Sequence, residues 1–312
     1  MYYFIVNPNA HSGHGEKIWR KLERQIENSG IEYEVYLTDA QGDARQLAEK
    51  LTGPGNGSCD QPMIIVAVGG DGTINEILDG LSFDRQVTLG YIPAGSGNDL
   101  ARSLKLPNNP RRCLKRILNP RYYLSLDYGI LSYEKGEPVH RRFMVSSGIG
   151  LDAAVCHNLL DLSRRHQGWP GICGRFAYIF LGIKQLALAK PVKGFLLLDG
   201  IKKVEFNHIY FVSSHIHGYE GGGFKLIPKA DYSDGLLDLC VIHNSSKLRV
   251  FPVLMDALCG RIGHARGVRF YQCREVTIHV ERPMPVHVDG ESCLSQTDIH
   301  LRCVEKKLRM IV

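Results

Sequence analysis

An unbroken apolar segment, residues 63–68, ends abruptly in the sequence Gly69-Gly70-Asp71-Gly72-Thr73, and a helix-like pattern follows it. A continuous apolar run of this length is typical of a strand buried on both faces, as in a parallel sheet. Glycines after such a strand let the backbone approach a ligand closely. The N-terminus of the following helix offers free N–H groups to an anion. The pattern therefore predicts a phosphate-binding turn at the end of a buried parallel strand.

The same strand–turn–helix pattern occurs four times in the first part of the chain. Residues 2–6, 32–37 and 87–92 have strand patterns, and each is followed by a polar loop and a helical pattern. Four such units in succession predict a parallel α/β sheet with right-handed crossovers. Ligands bind such sheets at the carboxyl ends of the strands, where the loops gather. We therefore predict a three-layer, parallel-sheet nucleotide-binding domain over residues 1–123.

Beyond residue 120 the sequence changes to short segments that alternate in polarity or are rich in β-branched residues, a pattern typical of antiparallel strands. These segments lie at residues 122–131, 142–146, 193–198, 209–213, 237–242, 275–280, 286–288 and 299–304, with helical patterns near 153–162, 177–188 and 246–259. We predict a second, mainly antiparallel β-sandwich domain over residues 124–305. We also expect residues 306–312 to return to the first domain as a strand.

The bulk composition disfavours several classes of protein. A net charge of +6 on scattered basic residues falls short of the footprint of a nucleic-acid-binding protein. The nine cysteines include no C-x-x-C pair, and their odd number favours reduced thiols and a cytoplasmic location. There is no signal-peptide pattern. The strongest apolar segment, residues 176–189, is too short to span a bilayer, so any membrane contact is expected to be peripheral.

The carboxylate inside the first glycine loop bears on the kind of ligand. Asp71 would repel a phosphate bound by the surrounding amides unless a metal ion lay between them, so the loop favours Mg²⁺-nucleotide over a bare anion. A second loop, Gly95-Ser96-Gly97-Asn98-Asp99, repeats the glycines, a hydroxyl and a carboxylate. The absence of a Walker A sequence and of the protein-kinase signature disfavours both of those mechanisms. A G-x-G-x-x-A match at residues 148–153 lies in a mostly β context, which argues against a dinucleotide site.

The two glycine loops together resemble the nucleotide loops of the diacylglycerol kinase and lipid kinase family, which includes soluble bacterial diacylglycerol kinases and the sphingosine and ceramide kinases. The resemblance continues, in the family's order, through residues 148–154, 221–225, 234–238 and 289–291. It covers nearly the whole chain. NAD kinases and phosphofructokinases share only the first loop, so an NAD kinase-like phosphotransferase is the nearest enzymatic alternative.

The resemblance assigns roles to particular residues. It implies that ATP is bound by Asn7, Thr38, Gly69, Gly70, Asp71, Gly72, Thr73, Ile74, Asn75 and Ser96. It places Asp71 near the catalytic metal and makes Glu291 the general base that takes the proton of a lipid hydroxyl. It also implies a Mg²⁺ site formed by Asp231, Asp234 and the carbonyl of Leu236. From the residues alone, Ser233-Asp234-Gly235 is equally well a β-turn, and Glu291 is a glutamate at the tip of a hairpin in water.

On this basis we expect an ATP-dependent lipid kinase, with diacylglycerol as acceptor and the active site in an interdomain cleft. The apolar helical segments at residues 153–162 and 176–188, beside Arg164-Arg165-His166, suit a lipid at an anionic membrane surface. Helices packed on a sheet explain the same apolar positions. A regulator that binds nucleotide or lipid without turnover is the alternative from another class. A homodimer is compatible with the sequence.

Overall fold

The structure is a computed structural model that describes residues 1–54, 62–165, 175–258, 260–262 and 266–312. The chain divides into two compact units. The N-terminal unit contains Met1–Leu126 and Lys306–Val312, and the C-terminal unit contains Asp127–Glu305. The chain therefore passes from one unit to the other twice.

Strands and helices alternate in the N-terminal unit. In chain order they are β1 (Tyr2–Val6), α1 (Ala10–Glu27), β2 (Tyr33–Leu37), α2 (Asp43–Thr52), β3 (Met63–Gly69), α3 (Asp71–Gly80), β4 (Val87–Pro93), α4 (Asp99–Ser103) and α5 (Pro110–Leu118). The strands lie in the order β4-β3-β1-β2, and each neighbouring pair is parallel. The predicted mixed α/β fold with a parallel N-terminal sheet is confirmed.

Helices cover the sheet because its strands carry apolar side chains on both faces. Phe4 and Val6 of β1 pack with Trp19 of α1 and Leu114 of α5 in one core. Close approach of α5 is possible because β4 has a glycine at position 90, where a Cβ atom would lie 3.1 Å from the Ile117 side chain. The apolar run of β3 is thus explained by burial from both sides.

The C-terminal unit is mainly antiparallel. Its elements are β5 (Tyr123–Lys135), which begins in the N-terminal unit, β6 (Glu137–Phe143), β7 (Ser146–Gly150), α6 (Leu151–Arg165), α7 (Arg175–Leu188), β8 (Val192–Leu198), β9 (Lys202–His215), β10 (Leu237–His243), α8 (Lys247–Leu258), β11 (Val268–Cys273), β12 (Glu275–Val288) and β13 (Glu291–Ile311). The strands β11-β10-β9-β7-β12-β13 are neighbours in that order, and β8 pairs with β9 and β12. These pairings are antiparallel, as predicted.

Two strand boundaries differ from the sequence-based expectation. Residues 142–146, predicted as one strand, contain the end of β6 and the start of β7, because the backbone N–H groups of Met144, Val145 and Ser146 donate to the Asp289 carboxylate. Residues 275–280 and 286–288, predicted as two strands, belong to the single strand β12. Its register shifts between His279 and Met284 and between Pro285 and His287, so its prolines lie at an irregularity that a long strand tolerates.

The end of β13 lies in the N-terminal unit. Arg309 and Met310 pair in parallel with Thr88 and Leu89 of β4. Leu308, Met310 and Ile311 are buried. Among the described residues, no helix combines the length and the apolar character needed to cross a membrane.

Candidate active site

The loops that follow β1, β2, β3 and β4 meet at one edge of the N-terminal sheet. Asn7 donates from Nδ2 to the Thr73 hydroxyl at 3.3 Å, which joins the first loop to α3. The backbone N–H of Thr38 donates to Val6 O at 2.9 Å, so this buried threonine lies beside the end of β1. The loop after β4 is joined to that after β3 by a hydrogen bond from Ala94 N to Gly69 O at 2.7 Å. Parallel pairing thus brings together the polar residues that the sequence predicted at this edge.

The two glycine loops touch each other through their backbones. A Cβ atom on Gly95 would lie 2.5 Å from the Cα atom of Gly70, a distance that real side chains do not tolerate. Asn98 closes the second loop in a left-handed conformation, φ 51°. Its Oδ1 accepts from Gly95 N at 3.0 Å and its Nδ2 donates to Gly95 O at 2.8 Å. Glycine at positions 70 and 95 is therefore required by close packing.

Asp71 links the two loops with its carboxylate. Its Oδ2 accepts from the backbone N–H of Asp99 at 3.0 Å, and its Oδ1 accepts from that of Leu100 at 3.2 Å, so Asp71 caps the start of α4. Burial raises the pKa of the Asp71 carboxyl, and these hydrogen bonds act in the opposite direction. The sequence predicted a metal-facing carboxylate at this position and missed its capping role. The adjacent Asp99 is buried and pairs with Arg102 at 2.5 Å.

The remaining predicted nucleotide-binding residues lie around the start of α3 and the tip of the second loop. The backbone N–H groups of Thr73 and Ile74 donate to Gly70 O, and Asn75 is fully buried. Ser96 is exposed at the loop tip. Next to Asn7, residues His11, Ser12 and Gly13 adopt left-handed conformations with φ of 47°, 57° and 83°, so the regular part of α1 begins after a tight turn.

Glu291 follows a tight turn between β12 and β13. Val288 pairs with Glu291, and the two residues between them have positive φ, 45° at Asp289 and 85° at Gly290, as a two-residue type I′ hairpin requires. The Asp289 carboxylate accepts from the backbone N–H groups of Met144, Val145 and Ser146 at 2.7–2.8 Å. Asp289 therefore anchors the turn and determines where Glu291 leaves it.

The acidic segment near residue 234 folds as a turn. Oδ1 of Asp231 accepts from Ser233 N and Oγ, and Oδ1 of Asp234 accepts from Leu236 N at 3.0 Å. Asp127, a fully buried residue of β5 that the sequence reasoning missed, accepts from Gly235 N at 2.7 Å. Burial raises the pKa of Asp234, and the charges of Asp231 and Asp127 raise it further. A divalent cation would relieve this repulsion, and carboxylate and carbonyl oxygens suit Mg²⁺.

An apolar pocket lies between α6, α7 and α8 in the C-terminal unit. Its walls include Val155, Ile183, Phe211 and Phe251, among other apolar side chains. The pocket also contains two carboxyl groups, those of Asp152 and Glu220. The fully buried atoms Asp152 Oδ2 and Glu220 Oε1 accept no hydrogen bond within the described part of the chain. Of the basic residues predicted beside these helices, His166 lies outside the described residues, as do the side chains of Arg164 and Arg165.

His287 lies behind the two carboxyl groups. Its Nε2 is 3.1 Å from Glu220 Oε1 and 3.4 Å from Asp152 Oδ2. Burial alone would raise the pKa of Glu220, but its contacts with His215 and His287 outweigh burial and lower it. For Asp152 burial prevails and the pKa is raised. The pocket thus contains one carboxyl whose pKa is lowered and one whose pKa is raised.

This cluster also has the spacing of a metal site, since ligand atoms of Cys156, Glu220 and His287 lie within 4.8 Å of one another. The backbone N–H of Gly290 donates to Nδ1 of His287 at 3.2 Å. Because Nδ1 accepts this bond and carries no proton, a metal on Nε2 would require the ring to lose its remaining proton and become an imidazolate, which is not the ordinary form of a histidine ligand. We therefore interpret the cluster as a hydrogen-bonded group.

Both units match known protein families. Residues 1–123 match the diacylglycerol kinase catalytic domain, and residues 144–312 match the YegS C-terminal NAD kinase beta sandwich-like domain. A diacylglycerol kinase of Mycobacterium tuberculosis (strain H37Rv) is 28% identical over 291 residues, which cover 92% of this chain and 87% of that protein.

Solved structures share the fold. The crystal structure of a diacylglycerol kinase from Bacillus anthracis superposes with a TM-score of 0.71 at 20% identity, over 99% of this chain and 96% of that one. Yeast NADH kinase complexed with NADH superposes with a TM-score of 0.53 at 9% identity, over 100% of this chain and 83% of that one. At these identities the similarity concerns the fold alone.

Proposed function

The chain belongs to the diacylglycerol kinase and lipid kinase family, and from this membership we infer that it transfers the γ-phosphate of ATP to the hydroxyl of diacylglycerol, giving phosphatidic acid. The observation that carries the proposal is the contact between the two glycine loops through Gly70, Gly95 and the Asp71 carboxylate. A loop held against a second loop is preorganised, which is the main requirement in phosphoryl transfer.

In this proposal ATP binds at the carboxyl edge of the N-terminal sheet. Backbone N–H groups of the Gly69–Gly70 turn and the start of α3 bind its phosphates. Asn7, Thr38, Thr73, Ile74, Asn75 and Ser96 surround the nucleotide. Mg²⁺ fits the oxygen donors of this edge, where Asp71 would hold it. When bound, the ion neutralises charge on the phosphates.

The acceptor hydroxyl loses its proton to Glu291 as its oxygen attacks the γ-phosphorus. A carboxylate is suited to this general-base role. The type I′ turn, anchored by three hydrogen bonds to Asp289, supports the assignment because it holds Glu291 in a defined position. A glutamate on a mobile loop would gain no such orientation.

The pocket between α6, α7 and α8 is the proposed acceptor site. Apolar walls suit acyl chains, and the carboxyl oxygens of Asp152 and Glu220 offer acceptors to hydroxyl donors of the lipid. Ile183 and Phe251 line this pocket and are also partly exposed, so the pocket opens onto the surface of α7 and α8.

The same surface is the proposed peripheral membrane contact. It exposes Phe180, Ile183 and Leu188 of α7 and Leu248 and Phe251 of α8, by 40% or more. Lys184, Lys247 and Arg249 lie exposed among them. Exposed apolar side chains flanked by cations fit the interface of an anionic bilayer.

Transfer of labelled phosphate from ATP tests the proposal. The acceptors to compare are diacylglycerol, phosphatidylglycerol, sphingosine, undecaprenol and NAD. We expect label on diacylglycerol. Label on another lipid alone would show that the acceptor is that lipid. Label on NAD with none on any lipid would overturn the proposed function in favour of an NAD kinase-like activity. The fold shared with yeast NADH kinase is the observation that supports this alternative.

A further inference from the structure

We propose that His287 is a positioning residue that couples the acceptor pocket to Glu291, an inference that rests on the proposed function. His287 is fully buried near the end of β12, where it pairs with Gly148 of β7 and Ser292 of β13. Its two ring nitrogens make different contacts: Nε2 lies beside two carboxyl groups that line the pocket, and Nδ1 contacts the turn that precedes Glu291.

Nε2 is linked to the pocket through two carboxyl residues that line it. This nitrogen lies within 3.1–3.4 Å of carboxyl oxygens of both pocket residues, Glu220 and Asp152, without a well-aligned hydrogen bond to either. The backbone of β7 leaves room for the group because residue 148 is glycine, where a Cβ atom would lie 2.0 Å from Asp152 Oδ2 and 3.0 Å from His287 Nε2. One N–H therefore lies between two carboxyl groups, and a lipid that enters the pocket and displaces either carboxyl would change its contacts.

The contact with the turn is made by Nδ1, which accepts from Gly290 N at 3.2 Å. Gly290 is the second residue of the turn and directly precedes Glu291. The turn is thus held at two points, by the Asp289 carboxylate on the backbone of residues 144–146 and by the His287 ring. Of these two points, the His287 ring is the one that also contacts residues lining the pocket.

The two contacts can be separated by substitution. In His287→Asn an amide oxygen can replace Nδ1 as the acceptor for Gly290, while the group facing the carboxyls is lost. In His287→Gln an amide nitrogen can reach the position of Nε2, while the acceptor for Gly290 is lost. His243→Asn is the control. His243 is a half-buried histidine of the same unit, and its ring centroid lies 4.6 Å from that of Phe206.

In steady-state kinetics with dioctanoylglycerol in detergent micelles, we expect the two substitutions to change different kinetic constants. Loss of one polar contact of this kind changes a kinetic constant by about threefold to tenfold. His287→Asn should raise the KM for the lipid by this factor and leave kcat near that of the native protein. His287→Gln should lower kcat by this factor and leave the KM for the lipid unchanged. Neither should alter the KM for ATP, and His243→Asn should alter none of them. Equal effects of both substitutions on kcat and KM, or no effect of either, would overturn the proposal.

A second measurement uses the native chain and so does not depend on the folding of a variant. In protein labelled with ¹⁵N-glycine, dioctanoylglycerol should shift the amide resonance of Gly182, which lines the pocket, and that of Gly290. Gly136, in the β5–β6 turn, should not move. A shift of Gly182 without one of Gly290 would overturn the role of His287. If neither moves, the lipid does not enter the pocket, and the acceptor site of the proposed function fails instead.

Discussion

Asp71 caps the start of α4 in addition to its proposed role as a metal ligand, so its substitution would disturb both. Its oxygens accept from the backbone N–H groups of Asp99 and Leu100, so removing the carboxylate would free the start of α4 as well as any metal ligand. A substitution at the contact between Gly70 and Gly95 tests the geometry of the loops alone, because this contact involves no charged group.

We expect Gly95→Ala to impair nucleotide binding. The added Cβ atom would lie 2.5 Å from the Gly70 Cα, so one loop must move away from the other. An overpacked contact costs about 1–3 kcal/mol, which corresponds to a rise of about fivefold to 150-fold in the Kd for ATP. Isothermal titration calorimetry measures this Kd. Gly182→Ala is the control, since its Cβ atom meets nothing within 4 Å and its φ lies outside the left-handed region, and equal affinity in both variants would contradict the prediction.

We expect Glu291→Gln to abolish most of the transfer and to leave ATP binding intact. The amide keeps the shape of the side chain but cannot take a proton, and loss of a general base typically lowers kcat by about 10²-fold or more. Glu281→Gln removes an exposed glutamate of β12 and should be neutral. A Glu291→Gln enzyme with undiminished kcat would remove Glu291 from the mechanism.

The segment at residues 231–236 is either a Mg²⁺ site or a turn without a metal, and one substitution can distinguish these two explanations. Asp234→Asn keeps an oxygen that can accept from Leu236 N but removes the charge that Asp231 and Asp127 oppose. If the segment binds Mg²⁺, the variant should lose the Mg²⁺-dependent rise in Tm, which is about 2–4 °C for each kcal/mol of ligand stabilisation.

The sign of the pKa shift adds a second expectation for this turn. Because the pKa of Asp234 is raised in the folded protein, its ionised form costs stability above the unfolded pKa, and without Mg²⁺ the Asn variant should melt no lower than the native chain at neutral pH. Differential scanning fluorimetry with and without Mg²⁺ measures both effects, with the exposed Asp161→Asn as control. A full Mg²⁺ response in the Asp234 variant would leave only the turn explanation.

The exposed face of α7 and α8 can be tested apart from catalysis. Phe180→Ser combined with Leu248→Ser removes two side chains that are 69% and 88% exposed, so the fold should be little affected. Binding to phosphatidylglycerol vesicles in a sedimentation assay should weaken by roughly tenfold or more. Ile201→Ser removes an 89% exposed side chain from the β8–β9 turn and is the control. Equal binding by the native chain and the double variant would exclude this face.

The sequence predicted elements wherever burial imposes a pattern. The apolar run of β3 marks a strand covered on both faces, and the strands around it follow the same logic. It missed β6 and β11, which pair with β5 and β10: β6 is largely exposed and β11 is buried at its two end residues, so neither shows a clear apolar periodicity. It divided β12 because Pro283 and Pro285 disfavour a strand locally, whereas the paired strands tolerate them at an irregularity.

The candidate functional residues likewise divide into those that a local sequence pattern indicates and those that it does not. The loops after parallel strands were predictable because the topology gathers them at one edge. Asp127 and His287 were not, because their partners lie far away in the chain: Gly235 for Asp127, and β7 with α6 for His287. Nothing in their own neighbourhoods indicates these partners.

At the scale of the whole molecule, the N-terminal unit is discontinuous in sequence. It uses residues from the first 126 and the last 7 positions of the chain, and Ile311 packs in the same core as Phe4 and Trp19. The core of the C-terminal unit, by contrast, is built from its own strands. The N-terminal sheet therefore cannot be completed until the end of the chain is available.

Removal of residues 306–312 should accordingly unfold the N-terminal unit and spare the other. Leu308, Met310 and Ile311 are at most 2% exposed, and burial of three such side chains stabilises by about 5 kcal/mol or more, comparable with the whole stability of many domains. We expect limited proteolysis to degrade the N-terminal unit of the truncated chain, and ATP binding to be lost. The C-terminal unit should remain as a resistant fragment. Removal of Val312 alone, a half-buried residue, is the control. A truncated chain that still binds ATP would show that the four strands β1–β4 are sufficient, and that the final strand adds little to the sheet it joins.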